Sequence, residues 1–222
     1  MNIDISAENI KDLLYYETKP LIELNITYPQ IGGHISRNAE RNFNFYYLNS
    51  ARVLNFKTRT ETYRQAVAQY KYSKRNGFPF NLFSVIQTYE VTYLQNNYAS
   101  LYIDIYTYSG GAHGMTERTG YTWNLRTGRR MVLSDFFPRN SNWRSIILNE
   151  VKRQIEQDPQ TYFENAKQLA ERYFDPRYFY LSANGITVFY PLYAIAPYAS
   201  GIRTFEIPVS DITVNQGITV KQ

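Results

Sequence analysis

Between Ile35 and Tyr70 the chain switches its hydrophobic period, and that switch bounds the folds open to it. Positions Ile35, Ala39, Phe43, Tyr46, Tyr47, Ser50 and Leu54 recur at three- and four-residue steps, and the pattern resumes at Tyr63, Ala66, Val67 and Tyr70. That spacing marks one face of a helix. Asn76-Gly77, followed by Pro79, is a stop signal. The segment reads as a long helix opening after Gly32-Gly33 and packed across a sheet, with a kink expected near Asn55 to Thr60.

On either side the period is two. Leu21 to Tyr28 alternates and reads as a strand ending at Pro29. Ser84 to Tyr93 alternates, Asn96-Asn97 marks a hairpin turn, and Ala99 to Tyr108 alternates again. In that last strand Leu101, Ile103 and Ile105 share one face, and Tyr102, Asp104 and Tyr106 the other. Arg118 to Leu125 is a strand, turned by Arg126-Thr127-Gly128 into Arg129 to Leu133. After the break at Ser134 to Pro138, a second helix starts near Ser141 or Asn142. It shows Trp143, Ile146, Ile147, Val151 and Ile155 on one face and stops at Asp158-Pro159. Thr161 to Tyr173 reads as another short helix. The last strands are Tyr178 to Ser182, Ile186 to Tyr190 after a turn at Asn184-Gly185, and Arg203 to Pro208. Strands and helices are grouped, not strictly alternating. The class is therefore α+β: a mainly antiparallel β-sheet with one long helix and a second helical pair packed on it. No Ser-, Gly- or Pro-rich linker divides residues 1–222, so they read as a single compact α+β domain.

Composition closes several routes. The chain has no cysteine, which removes thiol catalysis, Cys-ligated zinc and disulfides. No apolar run approaches the ~20 residues that span a bilayer, and Met1-Asn-Ile-Asp has neither the basic nor the apolar region of a signal peptide. Tyrosine, at 22 residues, is in excess, and Arg outnumbers Lys by 16 to 8; both residue types dominate binding hot spots. Aromatics also simply line two-sided sheets. The net charge is +5, concentrated between His34 and Asn76 in nine Lys or Arg opposed by Glu40 and Glu61. Such a stripe suits an anionic polymer or a lipid surface, or is a solvated helix face.

The stretch Tyr106-Thr-Tyr-Ser-Gly-Gly-Ala-His-Gly114 carries three glycines and one of the two histidines. A glycine turn between strands lets a ligand approach the backbone closely. Each catalytic reading of it is thin. His113 with Asp104 and Glu117 would make a metal cluster, but no His-Glu-x-x-His pattern exists. Ser109 near His113 lacks the Gly-x-Ser-x-Gly elbow. Asp104 and Asp135 stand at strand ends without a spacing that marks a glycosidase pair. No Lys-Ser/Thr follows to make a phosphate loop. No nucleic-acid-binding signature is present, so basicity stands alone as an argument for that partner.

Three motifs in order, Ser109-Gly-Gly-Ala-His-Gly114, Thr127-Gly128 with Leu133-Ser-Asp-Phe-Phe137, and Ile186-Thr-Val-Phe-Tyr190 running into Tyr193-Ala-Ile-Ala-Pro-Tyr-Ala-Ser-Gly201, resemble a bacterial family of envelope domains. It includes the extracytoplasmic, lysozyme-sensing domain of the anti-sigma factor RsiV and the N-terminal, non-catalytic domain of the deacetylase PdaC. The resemblance covers roughly Leu21 to Ile212, as segments of about 21–107 and 108–212, the second holding the glycine loop. It implies a non-catalytic α+β domain of Gram-positive type outside the membrane, secreted or tethered through a segment not present here. In RsiV-like members the domain recognises lysozyme, and binding exposes the anchor to proteolysis that frees a sigma factor. The chain departs from that pattern in lacking a sigma-binding segment, a membrane span and a deacetylase metal motif. Its positive charge would also oppose a basic lysozyme.

The expectation is a binding or sensing domain for a cell-wall glycan, an anionic envelope polymer or a lysozyme-like protein, with no cofactor, no metal and no nucleic acid. Its ligand would lie between the glycine loop (Ser109, Gly110, Gly111, His113) and the loop Tyr193, Pro197, Tyr198, Gly201, with Tyr198 as the aromatic anchor. The alternatives are that the two loops only close the fold, that the protein is an RsiV-like anti-sigma ectodomain, or that it is a wall-polymer hydrolase using His113 with Asp104 or Glu117.

Overall fold

The computed structural model describes residues 3–208; residues 209–212 of the second family-like segment lie outside them. The class is α+β, as the grouping of the two periods implied. Strands β1 (Ile3–Tyr16), β2 (Lys19–Gly33), β3 (Phe83–Gln95), β4 (Tyr98–Tyr108), β5 (Met115–Asn124) and β6 (Arg129–Arg130) form a six-stranded sheet in chain order. Strands β7 (Phe179–Ser182), β8 (Gly185–Tyr190) and β9 (Arg203–Pro208) form a second, antiparallel sheet. The helices are α1 (Arg37–Lys57), α2 (Tyr63–Asn76), α3 (Trp143–Gln157) and α4 (Ala166–Arg172). The chain packs as two compact units. One comprises residues up to Tyr89 together with Ile103–Thr116; the other comprises Glu90–Tyr102 and the residues from Glu117 on.

In the first unit, β1 is a strand that the alternation did not reveal. It pairs antiparallel with β2 from Ile3↔Gly33 to Tyr16↔Lys19 around the turn Glu17-Thr18, and Glu17 takes the left-handed conformation (φ 54°). Only Leu14 of β1 is buried, so its sequence carries little core signal. Its place comes from the ladder, and charged Asp4, Glu8, Lys11 and Asp12 keep this edge from pairing further. The β2–β3 pair is parallel, Ile22↔Phe83 to Ile26↔Gln87. A parallel pair needs a long crossover, and the helical region supplies it. A π-helical turn at Thr58–Thr62 separates α1 from α2 where the kink was expected, and Gly77 ends α2 at φ 70°. Leu14, Leu21, Ile22, Ala66 and Phe83 make one core of this unit, joined by Tyr63, Tyr70 and Phe80.

β2 does not end at Pro29 but runs on to Gly33. Pairing to β3 stops at Ile26, so from Thr27 onward one edge of β2 has no strand beside it. Residues of one parity turn their peptide groups to the same edge. There the Gln87 amide donates to the Thr27 carbonyl (3.0 Å), Pro29 has no N–H to satisfy, and the Asn44 side chain takes both polar groups of Ile31. The proline is tolerated because its missing donor faces no partner strand.

In the second unit, Asn96 and Asn97 (φ 53° and 61°) form the two-residue turn between β3 and β4 that their residue types favour. Tyr98, Ala99, Ser100 and Leu101 are all buried, on both faces. Ser100 replaces an apolar contact by a polar hub. Its hydroxyl donates to the Tyr121 carbonyl (3.0 Å), accepts from the Leu181 N–H (2.8 Å) and lies 2.8 Å from the Thr122 hydroxyl. β6 is shorter than the expected Arg129 to Leu133. The Asp135 carboxylate takes the Val132 N–H (2.9 Å) and the Arg129 guanidinium (3.1 Å), and Leu133–Phe136 folds into a 3₁₀ turn. The buried face of α3 is Ile147, Val151 and Ile155; with Ala166 and Ala170 of α4 it covers Phe179, Ile186, Val188, Phe205 and Ile207 of the second sheet. α4 is confined to Ala166–Arg172, because Pro159–Thr161 forms a separate 3₁₀ turn.

Candidate functional site

The residues singled out fall on two loops that belong to different units, and each loop is built from its own neighbours. The glycine loop joins β4 to β5 in the first unit. Gly110 (φ 83°) and Gly111 (φ 119°) hold conformations that side chains resist, and they reverse the chain within Ser109–His113, all of it exposed. The Tyr108 hydroxyl donates to the Gly111 carbonyl (3.0 Å) and ties the turn to its own strand. His113 Nδ1 lies 3.1 Å from the Gly114 carbonyl, within hydrogen-bonding distance of it. The Tyr106 ring covers Gly114 so closely that a Cβ there would fall 2.4 Å from it. The loop thus offers a small exposed tip of hydroxyl, backbone and imidazole on a braced base. Asp104 belongs to the same unit and Glu117 to the other. Among the described residues, no three His, Cys, Asp or Glu side chains stand where they could hold a metal ion.

The second loop follows β8. Tyr193 sits at φ 64°, which is uncommon for a bulky residue. The residue is 48% exposed, and its ring meets the ring of half-buried Tyr198 at 5.5 Å, tilted by 35°. The sequence pointed to Tyr198 as the anchor; of the two, Tyr193 is the more open. Pro197 leads into the 3₁₀ turn Tyr198–Ser200, closed by the Ser200 N–H to Pro197 (2.9 Å) and the Gly201 N–H to Tyr198 (2.9 Å). Gly201, at φ 69° and ψ −167°, occupies a region essentially reserved for glycine. Ser200 donates to the Thr161 carbonyl (3.0 Å), and the Phe163 N–H to the Ile195 carbonyl (3.1 Å), so the loop is clamped at both ends.

Sequence reasoning missed the support behind this loop. The Arg203 guanidinium lies over the Tyr162 ring (4.8 Å), bonds the Tyr162 hydroxyl (3.1 Å) and reaches the Ser200 carbonyl (3.2 Å). Tyr162 in turn stacks on Phe205. Arg203 reads from sequence as an ordinary first strand residue, so no pattern announced it. Deeper in the same unit, Tyr190 donates to the Ala170 carbonyl (3.0 Å) and burial pushes its hydroxyl well above the usual tyrosine range.

Comparison with known proteins divides the chain along its length. Residues 16–116 match the family described as Deacetylase PdaC, and residues 134–210 match Protein of unknown function (DUF3298). The glycine loop therefore falls in the first match and not, as the resemblance suggested, in the second segment. No curated protein matches the chain. Among solved structures, a DUF3298 family member from Bacteroides fragilis NCTC 9343 is 18% identical, with a TM-score of 0.70 over 94% of this chain and 91% of that one. A DUF3298 family protein from Pseudomonas aeruginosa PAO1 is 16% identical, with a TM-score of 0.57 over 100% and 97%. At these identities the likeness is one of fold. The chain is similar to PdaC in its first part and to DUF3298 in its second, in that order.

Proposed function

We propose that the protein is a non-catalytic binding domain that works outside the cytoplasmic membrane and recognises cell-wall glycan. The observation that carries this reading is the Tyr193–Tyr198 pair: two rings 5.5 Å apart, one of them half exposed on a backbone in an uncommon left-handed conformation. A tyrosine held at positive φ with about half its surface open is a costly way to close a loop. A platform for a sugar ring gains the open stacking face. Ser109, Gly110, Gly111 and His113 supply a separate exposed tip of hydrogen-bonding groups. The net charge of +5 favours anionic wall polymers over a basic lysozyme at long range.

Calorimetric titration with soluble peptidoglycan fragments tests it. The wild type should bind, and Tyr193→Ala and Tyr198→Ala should each weaken binding by roughly tenfold, the scale of a lost aromatic contact. No turnover should appear in mass spectra of the mixture. Release of fragments by the wild type that vanishes in His113→Ala would overturn the reading in favour of a hydrolase. Salt-insensitive capture of lysozyme would favour the RsiV-like role.

A further inference from the structure

We infer that the outward face of α1 docks on an anionic lipid surface. α1 buries Ala39, Phe43, Tyr47 and Ala51. On the opposite side it exposes Phe45 (68%) and Phe56 (69%), with Val53 (58%) at the edge of that face. Phe45 and Phe56 are eleven positions apart, which places them about 16 Å apart along the axis and within roughly 20° of each other around it. They share one outward stripe of the helix, far from the buried face, with exposed Asn49 and Arg52 between them.

Exposed Arg41 and Arg52 stand beside the two rings on that face, with exposed Arg37 at the start of the helix and exposed Lys57 at its last position. The acidic residues between Ser36 and Asn76 are Glu40 and Glu61. A helix whose outer face combines phenylalanines with cations matches the interfacial arrangement, in which apolar groups enter the headgroup boundary and cations meet anionic lipid. A glycerol phosphate polymer, which has no ring face to stack on an aromatic side chain, would use the cations and leave the two phenylalanines in water. The helix is already committed to its own unit: Asn44 is bonded to Ile31, and in the turn that follows Arg59 forms an ion pair with Asp12. The stripe is therefore presented on a fixed helix and needs no refolding to engage.

Flotation of the full chain with vesicles is the test, using phosphatidylcholine alone and phosphatidylcholine containing roughly 30 mol % phosphatidylglycerol. The wild type should float with the anionic vesicles, less so as salt rises, and weakly with the neutral ones. Phe45→Ser/Phe56→Ser should reduce binding about tenfold or more, the scale of two lost apolar anchors. The circular dichroism spectrum should stay unchanged, because both side chains are exposed. Arg41→Gln/Arg52→Gln should remove the preference for anionic lipid. Absence of flotation with anionic vesicles would overturn the inference. So would flotation unaffected by the double serine variant, which would mean charge capture alone, and so would binding to glycerol phosphate polymer but not to vesicles.

Discussion

The side-chain amide of Asn44 on α1 accepts from the Ile31 N–H at 2.7 Å and donates to the Ile31 carbonyl at 2.9 Å. One side chain thus does what a neighbouring strand would do for that residue, on a stretch of β2 where β3 no longer runs. It also fixes the helix against the strand, since both bonds must form together.

Asn44→Ala should therefore lower the stability of the first unit by about 1–3 kcal/mol, because it strands two peptide groups of a buried residue. Asn44→Asp should keep the acceptor but set a carboxylate against the Ile31 carbonyl, and so recover little. Urea unfolding of the three proteins checks this, and faster amide exchange at Ile31 in both variants locates the effect.

Gly120 permits a close approach inside the second unit. A Cβ there would lie 1.9 Å from the Phe179 carbonyl oxygen and 3.3 Å from the Phe189 ring. The first contact is with backbone, so β7 itself would have to move. Gly120→Ala should cost on the order of 3 kcal/mol or more, whereas Gly32→Ala, which meets nothing within 4 Å, should cost little. A melting temperature that falls equally in both variants would contradict this account.

Ser100 links β4 to β5 and to β7 through one buried hydroxyl. Ser100→Ala keeps the shape but leaves the Leu181 N–H and the Tyr121 carbonyl short of a partner. The expected loss is about 1–3 kcal/mol by chemical denaturation. Ser100→Cys should behave like the alanine variant, because a thiol is a weak donor and acceptor.

Acid should weaken the second unit in a traceable way. The Arg177 side chain holds the Asp175 carboxyl below its usual range, and Arg153 does the same for Glu150. The folded state then binds fewer protons than the unfolded one at mildly acid pH. The stability from each carboxylate is full above the ordinary carboxyl range and is lost as pH falls through the lowered folded value. Arg177 and Arg153 are largely exposed, so solvent screens both pairs and each contributes little. The stability difference between wild type and Asp175→Asn, measured by denaturant titration, should shrink as pH drops from neutral to roughly 3. A difference that stays constant would show that Asp175 acts only through its turn geometry.

Much of the fold was legible because it rests on periodicity and turn chemistry: the two-residue turn at Asn96-Asn97, the stop at Gly77 and the break near Thr58 are all local. What was not legible is held by distant partners. β1 buries almost nothing of its own, and the extension of β2 past Pro29 depends on Gln87 and Asn44, which no local rule connects to it. Phe45 and Phe56 carried a readable signal, since they fall off the helical stripe that the other aromatics follow. Gly120, a lone glycine inside a strand, carried another. For the candidate site, sequence named the two loops but not the left-handed backbone of Tyr193 or the Arg203–Tyr162 support, because neither residue type predicts its conformation here.

That backbone makes stability and binding separable. At φ 64° a tyrosine costs roughly 1 kcal/mol or more relative to glycine, which adopts this conformation freely. Tyr193→Gly should relieve the strain and remove the exposed ring, while flexibility of the unfolded chain offsets part of the gain. If the loop exists to present the ring, the variant should be as stable as the wild type or more so, yet should lose binding to wall fragments. If Tyr193 instead braces the loop against Tyr198, Tyr193→Gly should melt earlier. Paired thermal denaturation and titration of this one variant distinguish presentation from bracing, since only bracing predicts a loss of stability.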